Sequence, residues 1–189
     1  MFMFTYESFP ILETPRLILR EISFTDARHL LMIRGDYRVT RWNTVPLLRN
    51  LDDAIDLIDR TRLAYADQRR IDWAILLKDN PDAGMVARIG YNYWLRSEYR
   101  ASFGYDVAVA YWRRGIATEA ARAVAAFGFD QMALRRIEAD TYRENLASQR
   151  VLEKVGFRKV GVERDWDYGS LRELFLYALT HSEWTKQRV

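Results

Sequence analysis

One segment, residues 107–122 with the sequence VAVAYWRRGIATEAAR, constrains the fold of this chain most strongly. It opens with apolar residues typical of a β-strand, passes through a basic turn that contains Gly115, and continues into small residues typical of a helix. The first N–H groups of a helix lack an intrahelical acceptor, and the helix dipole adds partial positive charge there. With Arg113 and Arg114 beside them, these groups predict a phosphate site. An ordinary turn with two solvated arginines is the alternative.

A second segment, residues 137–157, has the same strand-then-helix order. Asn145 is suited to cap the N-terminus of its helix, and structural capping alone is one reading of it. Ser148 follows three residues later, so both side chains belong to the same end of that helix. Gly156 is the expected stop, directly before Phe157.

The two segments together resemble the GNAT superfamily of N-acetyltransferases. Residues 112–117 match its acyl-CoA loop, written Q/R-x-x-G-x-G/A, while Asn145, Ser148 and the Gly156-Phe157 pair match its next helix. Two further stretches, residues 13–17 and 183–184, extend the likeness over nearly the whole chain. They point to the RimJ/RimL-like branch, named for acetylases of ribosomal-protein N-termini. The resemblance implies an acetyl-CoA-dependent N-acetyltransferase.

The resemblance also implies an α/β (α+β) architecture, the GNAT fold, with a mixed, mostly antiparallel seven-stranded sheet and helices on both faces. Apolar periodicity predicts the order β-α-α-β-β-β-α-β-α-β-β, which fits this fold. The predicted strands cover residues 17–21, 71–78, 85–94, 99–109, 137–141, 157–162 and 173–179, and the predicted helices cover residues 26–34, 51–67, 117–128 and 145–155. Thr25 and Asn50 are the predicted caps of the first two helices. Because no linker or repeat interrupts the chain, residues 1–189 are expected to form a single domain.

In this family acetyl-CoA is held mainly by backbone groups, and the resemblance assigns them by position. The pantetheine arm is expected to pair with the strand before the loop, in a gap between that strand and the next. The diphosphate is expected on the N–H groups of the loop, where a Cβ at Gly115 would crowd it. Asn145 is expected to bond the pantetheine amide, and Ser148 to donate to the departing thiolate or, alternatively, to bond back to its own helix. The predicted cofactor residues are Val107, Ala108, Val109, Arg113, Arg114, Gly115, Ile116, Ala117, Thr118 and Asn145, and the predicted catalytic residues are Ser148 and Asn145.

The sequence does not identify a general base. The positions where the RimJ/RimL-like branch places carboxylates hold Ser102 and Val160. Asp106 and Glu163 lie nearby in the chain, although a surface or strand-edge position is expected for each.

Composition narrows the classes of partner. The chain has no cysteine, which excludes disulfides and a thiol nucleophile. Its 29 basic residues are set against 26 acidic ones without a long basic block, so direct nucleic-acid binding is not expected. No apolar run approaches the length of a membrane span, and a cytoplasmic protein is expected. His29 and His181 are not paired at metal-ligand spacing, so no metal site is expected. By analogy with the branch, a homodimer is an open alternative to a monomer.

The shortage of carboxylates bears on the acceptor amine. Deprotonating a lysine of pKa about 10.4 at pH 7 costs roughly 4.6 kcal/mol, whereas an α-amine of pKa about 7.7–8.0 costs about 1–1.4 kcal/mol. The sequence therefore favours a peptide N-terminal α-amine or a small amine, which attacks the thioester directly in a ternary complex. A catalytically weak acyl-CoA-binding module with a regulatory or interaction role is the alternative.

Overall fold

The computed structural model describes residues 7–42, 46–167 and 170–187. The strands in this part of the chain are β1 Leu12–Glu13, β2 Leu17–Glu21, β3 Ile71–Leu77, β4 Ala87–Leu95, β5 Arg100–Val107, β6 Arg136–Tyr142, β7 Arg158–Asp167 and β8 Ser170–Thr180. The helices are α1 Ala27–Arg34, α2 Tyr37–Thr40, α3 Leu51–Ala66, α4 Ile116–Asp130, α5 Leu146–Val155 and α6 His181–Gln187. Among the described residues, no helix is both long and apolar enough to span a membrane.

The strands form one sheet in the order β1-β2-β3-β4-β5-β6-β8-β7. Neighbouring strands are antiparallel except β5 and β6, which are parallel. The predicted mixed, mostly antiparallel sheet is confirmed, but the described chain has eight strands where seven are predicted. The additional strand is β1, whose two residues pair with Leu19 and Ile18. A strand of two residues is too short to show the alternation by which strands are recognised in a sequence.

Helices cover both faces of the sheet, as predicted. On one face α4, α5 and α6 contribute to the larger core cluster, with Phe127, Leu152 and Trp184 as members. On the other face α1 and α3 enclose a smaller cluster that includes Leu30 and Ile58. The loop before α4 and the start of α5 therefore lie on the same side of the sheet.

The inner face of α4 lies very close to the sheet because its residues are small. Ala120 and Ala121 are fully buried, and the Tyr91 hydroxyl of β4 donates a 2.8 Å hydrogen bond to the Val124 carbonyl. A Cβ at Gly128 would lie 2.1 Å from that hydroxyl oxygen, so this approach requires glycine. This contact fixes α4 on the sheet and holds its N-terminus beside the end of β5.

Some predicted boundaries are wrong. Thr25 does not cap α1, because a 3-10 turn over Phe24–Asp26 precedes the helix and the Asp26 carboxylate accepts a 2.9 Å hydrogen bond from the Ser23 N–H. By contrast, the predicted cap Asn50 does accept a 2.9 Å hydrogen bond from the Asp53 N–H at the start of α3. The helices α2 and α6 were not predicted, since four and seven residues carry little helical periodicity.

Candidate active site

The strands β5 and β6 diverge from one another. They pair only at Arg100↔Arg136, Ala101↔Ile137 and Ser102↔Glu138, whereas β5 stays paired with β4 as far as Val107 and β6 stays paired with β8 as far as Tyr142. Each half of the sheet is therefore intact, and a gap opens between the halves toward the loop that precedes α4. This is the gap that the family resemblance implies.

The edge of β5 that faces the gap carries alternate backbone groups. The Ala108 N–H donates a 3.0 Å hydrogen bond to the Val86 carbonyl, and in an antiparallel pair the bonded residues alternate. Consequently the N–H and C=O groups of Tyr105 and Val107 point toward β6, and the Val107 carbonyl accepts a 2.8 Å hydrogen bond from the Trp112 indole. The strand ends at Val107, two residues before the predicted end, and Val109 begins a 3-10 turn.

The loop between β5 and α4 has two residues with left-handed backbone conformation. Arg113 has a φ of 61° and Gly115 a φ of 79°, and Gly115 is the N-cap of α4. The first helical hydrogen bond joins the Glu119 N–H to the Gly115 carbonyl at 3.0 Å, so the preceding N–H groups have no intrahelical acceptor. These are the amides of Ile116, Ala117 and Thr118.

The side chains of the loop differ in their surroundings. Ile116 is buried in the core and anchors the first turn of α4. Arg113 and Arg114 are exposed, and the Arg114 guanidinium lies 5.1 Å from the ring centre of Tyr111. The loop therefore has backbone donors without intrahelical acceptors and two exposed arginines, the groups on which the predicted phosphate site depends.

The opposite wall of the gap is the start of α5. Asn145 caps this helix, and its side-chain oxygen accepts a 3.2 Å hydrogen bond from the Ser148 N–H. The Ser148 hydroxyl lies 3.0 Å from the Tyr105 hydroxyl of β5, so the predicted catalytic serine is bonded across the gap rather than back to its own helix. Burial raises the pKa of Tyr105, which keeps this phenol protonated at neutral pH.

Tyr105 was not predicted as a site residue. In a strand, residues two positions apart share a face, so Tyr105 is on the same face as Phe103 and Val107. Both of these pack in the core on the α4 and α5 side, and this pattern could have placed Tyr105 there. The sequence offered no signal for its partner, because the two hydroxyls are 43 positions apart in the chain.

The carboxylate nearest to Ser102 in the sheet is Glu138. The two residues are register partners in β5 and β6. Glu138 accepts hydrogen bonds of 2.9 Å from the Tyr93 hydroxyl and 2.8 Å from Arg136. Partial burial opposes its ionisation, but these bonds and the nearby guanidinium groups outweigh burial and lower the pKa of Glu138. A carboxylate held in this way is a weak base.

Asp106 was expected at the surface or at a strand edge, but the structure buries it. It is 4% exposed, and its carboxylate accepts a 3.0 Å hydrogen bond from Arg88 and lies 3.3 Å from Arg34 Nε of α1. Arg88 also pairs with the buried Asp72 of β3. Asp106 therefore joins β4, β5 and α1 on the face away from α4, where its charge is balanced by two guanidinium groups.

The remaining candidates lie elsewhere. Val160 and Glu163 are exposed on β7, which β8 separates from β6, so neither stands on a strand that borders the gap. His29 packs against the turn at Gly84, and the His181 ring lies 5.7 Å from that of Phe129.

Comparison with known proteins identifies the family. Residues 16–158 match the family described as the acetyltransferase (GNAT) domain. The uncharacterized N-acetyltransferase YoaA of Bacillus subtilis (strain 168) is 36% identical over 160 residues, which cover 85% of this chain and 89% of YoaA.

Solved structures share the fold. RimJ of Mycobacterium smegmatis, in complex with CoA-disulfide, has a TM-score of 0.80 and 26% identity, and the match covers 92% of this chain and 87% of RimJ. RimL, a ribosomal L7/L12 α-N-protein acetyltransferase, has a TM-score of 0.82 at 16% identity over 90% of this chain and 98% of RimL. The resemblance to the RimJ/RimL-like branch is thus confirmed. The chain belongs to the GNAT acetyltransferase family and is an acetyl-CoA-dependent N-acetyltransferase.

Proposed function

We propose that this enzyme acetylates the α-amine of a peptide or protein N-terminus, or a small amine of similarly low pKa. One observation carries this preference: Glu138, the carboxylate beside Ser102, is held by Arg136 and Tyr93 and has a lowered pKa. Because Glu138 is a weak base, the acceptor has to lose its proton to water before it attacks. That loss costs about 1–1.4 kcal/mol for an α-amine at pH 7 and roughly 4.6 kcal/mol for a lysine.

Acetyl-CoA lies in the gap between β5 and β6, with its diphosphate on the amides from Arg113 to Thr118. A charge at an exposed helix terminus gains only about 0.3–1 kcal/mol, so micromolar affinity, about 8 kcal/mol, needs several donors together. The pantetheine arm pairs with the backbone of Tyr105 and with the Val107 N–H, since the Val107 carbonyl already bonds the Trp112 indole. Ala108 contributes less than the sequence suggested, because its N–H already bonds Val86. RimJ, which is similar to this chain, is solved in complex with CoA-disulfide, and this supports CoA as the ligand.

Ser148 and Asn145 act on the thioester end of the cofactor. Asn145 uses its amide oxygen to cap α5, so its amide nitrogen is the group that would bond a pantetheine carbonyl. The two hydroxyls of Tyr105 and Ser148 can each donate to the other. In the proposed arrangement Tyr105 is the donor, which leaves the serine proton free to point at the sulfur as negative charge develops there. A serine hydroxyl is a poor acid, so its role is to orient and stabilise the thiolate rather than to transfer a proton fully.

The acceptor preference is tested by thiol release from acetyl-CoA with two matched peptides. One has a free N-terminus and no lysine, and the other has an acetylated N-terminus and one lysine. At pH 7 we expect kcat/KM to be at least about tenfold higher for the first peptide, and to rise with pH through the α-amine pKa of about 7.7–8.0. Equal values for the two peptides would contradict the proposal. CoA binding without thiol release from any amine would support the binding-module alternative.

We further propose that residues 1–189 act as one cytoplasmic domain with acetyl-CoA and the amine as partners, without direct nucleic-acid contact. The absence of cysteine suits a reducing compartment. By analogy with the branch, a homodimer stays an alternative to a monomer. Light scattering of the purified protein would decide between dimer and monomer.

A further inference from the structure

The segment between β1 and β2 contacts the first turn of α4 through a single carboxylate. Glu119 accepts hydrogen bonds of 2.6 Å from the Thr14 hydroxyl, 3.1 Å from the Arg16 N–H and 2.7 Å from Arg16 Nε. Arg16 Nη2 lies 2.6 Å from the same carboxylate. Burial opposes ionisation of Glu119, but the bonds from Thr14 and Arg16 outweigh it and lower its pKa. At neutral pH this contact is therefore an ion pair with several hydrogen bonds.

Arg16 also reaches the loop itself. Its Nη1 donates a 3.0 Å hydrogen bond to the Arg114 carbonyl. In a trans peptide the C=O and the following N–H point in opposite directions, so this bond turns the Gly115 N–H away from Arg16. The same guanidinium thus holds the start of α4 through Glu119 and sets the direction of a loop amide.

We propose that Arg16, Glu119 and Thr14 form a clasp of positioning residues that holds the loop in its diphosphate-binding conformation before acetyl-CoA arrives. This inference rests on the proposed diphosphate site at residues 113–118. The loop needs such support because two of its residues, Arg113 and Gly115, have positive φ, and a free loop would lose affinity to the entropy of ordering it. The Arg16 charge is neutralised by Glu119, so the clasp acts through the loop backbone.

The clasp is tested with Arg16→Ala and with the isosteric Glu119→Gln. We expect CoA affinity, measured by calorimetry, to fall about tenfold in each, or about 1.4 kcal/mol, with kcat at saturating acetyl-CoA nearly unchanged. The double variant should bind CoA no more weakly than the single variants, because both remove the same contact. Arg69→Ala is the matched control, since Arg69 pairs with Asp67 at 2.7 Å on an exposed surface.

Acetyl-pantetheine, which lacks the diphosphate, separates loop positioning from general damage. Its kcat/KM should be the same in the parent, Arg16→Ala and Glu119→Gln. An equal loss with acetyl-pantetheine would overturn the clasp as a loop-positioning device. If Arg16→Ala does not fold, Glu119→Gln and Thr14→Val carry the same test.

Gly115→Val distinguishes failure of the clasp from failure of the site beneath it. If Gly115→Val weakens CoA binding while the clasp variants do not, the inference is wrong and the diphosphate site stands. If Gly115→Val also binds CoA like the parent, the diphosphate site of the proposed function is itself wrong.

Discussion

The two faces of the gap between β5 and β6 are built in different ways. On the face covered by α4 and α5, the groups proposed to hold acetyl-CoA are mainly backbone amides, fixed by the positive φ of Gly115 and the buried side chain of Ile116. On the opposite face, side chains from distant elements meet. The Arg172 guanidinium of β8 lies 3.6 Å from the ring centre of Tyr142 and 5.6 Å from that of Trp42.

This difference teaches how each face can change. A short motif can specify most of the cofactor face, because backbone conformation depends mainly on local sequence, and the contacts of Arg16 with Glu119 and the Arg114 carbonyl support it from a distant segment. The opposite face depends on side chains that the fold brings together from three segments. We therefore expect single substitutions on this face to leave CoA binding intact.

The largest expected effect is on the cofactor face, from Gly115→Val. Valine is strained at a φ of 79°, and its Cβ would lie 3.3 Å from Arg16 Nη2, so both the loop conformation and the Arg16 contact beside it are disturbed. CoA affinity should fall at least about 100-fold, or about 2.7 kcal/mol, in calorimetry on protein whose circular dichroism matches the parent. Arg172→Ala, on the other face, should alter CoA affinity less than about twofold. Similar losses of CoA affinity in both variants would contradict the proposal that only one face binds the cofactor.

The same division explains what the sequence could predict. The capping by Asn145 and the small residues of α4 are local properties, and the sequence indicated both. The positive φ of Gly115 was not predicted and comes from the structure. The positions of the long strands along the chain were predictable from the apolar pattern. The end of β5 was not, because residues 108–111, which lead into and form a 3-10 turn, are as apolar as the strand before them.

Other features could not be predicted, because they depend on contacts between residues far apart in the sequence. The Tyr105–Ser148 contact, the Arg16–Glu119 contact and the burial of Asp106 each join residues that the chain alone does not associate. Asp106 is the clearest case, since an aspartate in a strand is normally expected at an edge or surface. The two arginines that face it in the fold help to make its burial tolerable.

A smaller effect is expected from Ser148→Ala, which removes the donor proposed to stabilise the thiolate. A hydrogen bond to a charged group contributes about 1.5–3 kcal/mol, so kcat should fall roughly 10- to 100-fold, with CoA affinity nearly unchanged. Stopped-time thiol release on a confirmed amine substrate measures this. Unchanged turnover would remove Ser148 from the mechanism.

Tyr105→Phe is the control for that variant. Because Tyr105 is proposed to act through Ser148, its loss should lower kcat less, roughly three- to tenfold, since the bond between two neutral hydroxyls is worth about 0.5–1.5 kcal/mol. The double variant should then be no slower than Ser148→Ala alone. Additive losses would indicate that the two hydroxyls act separately.

The smallest expected effect comes from Arg113→Gly, which should change the free energy of unfolding and the CoA affinity in opposite directions. Arg113 holds a φ of 61°, a conformation that costs a residue with a Cβ more than it costs glycine. Arg113→Gly should therefore raise the free energy of unfolding by about 0.5–1 kcal/mol in denaturant titration, while CoA affinity falls a few-fold through the lost charge. Arg114→Gly is the matched control, because its backbone lies outside the left-handed region and it should lose stability instead. If both variants shifted stability in the same direction, backbone strain at Arg113 would not be what distinguishes these two neighbouring arginines.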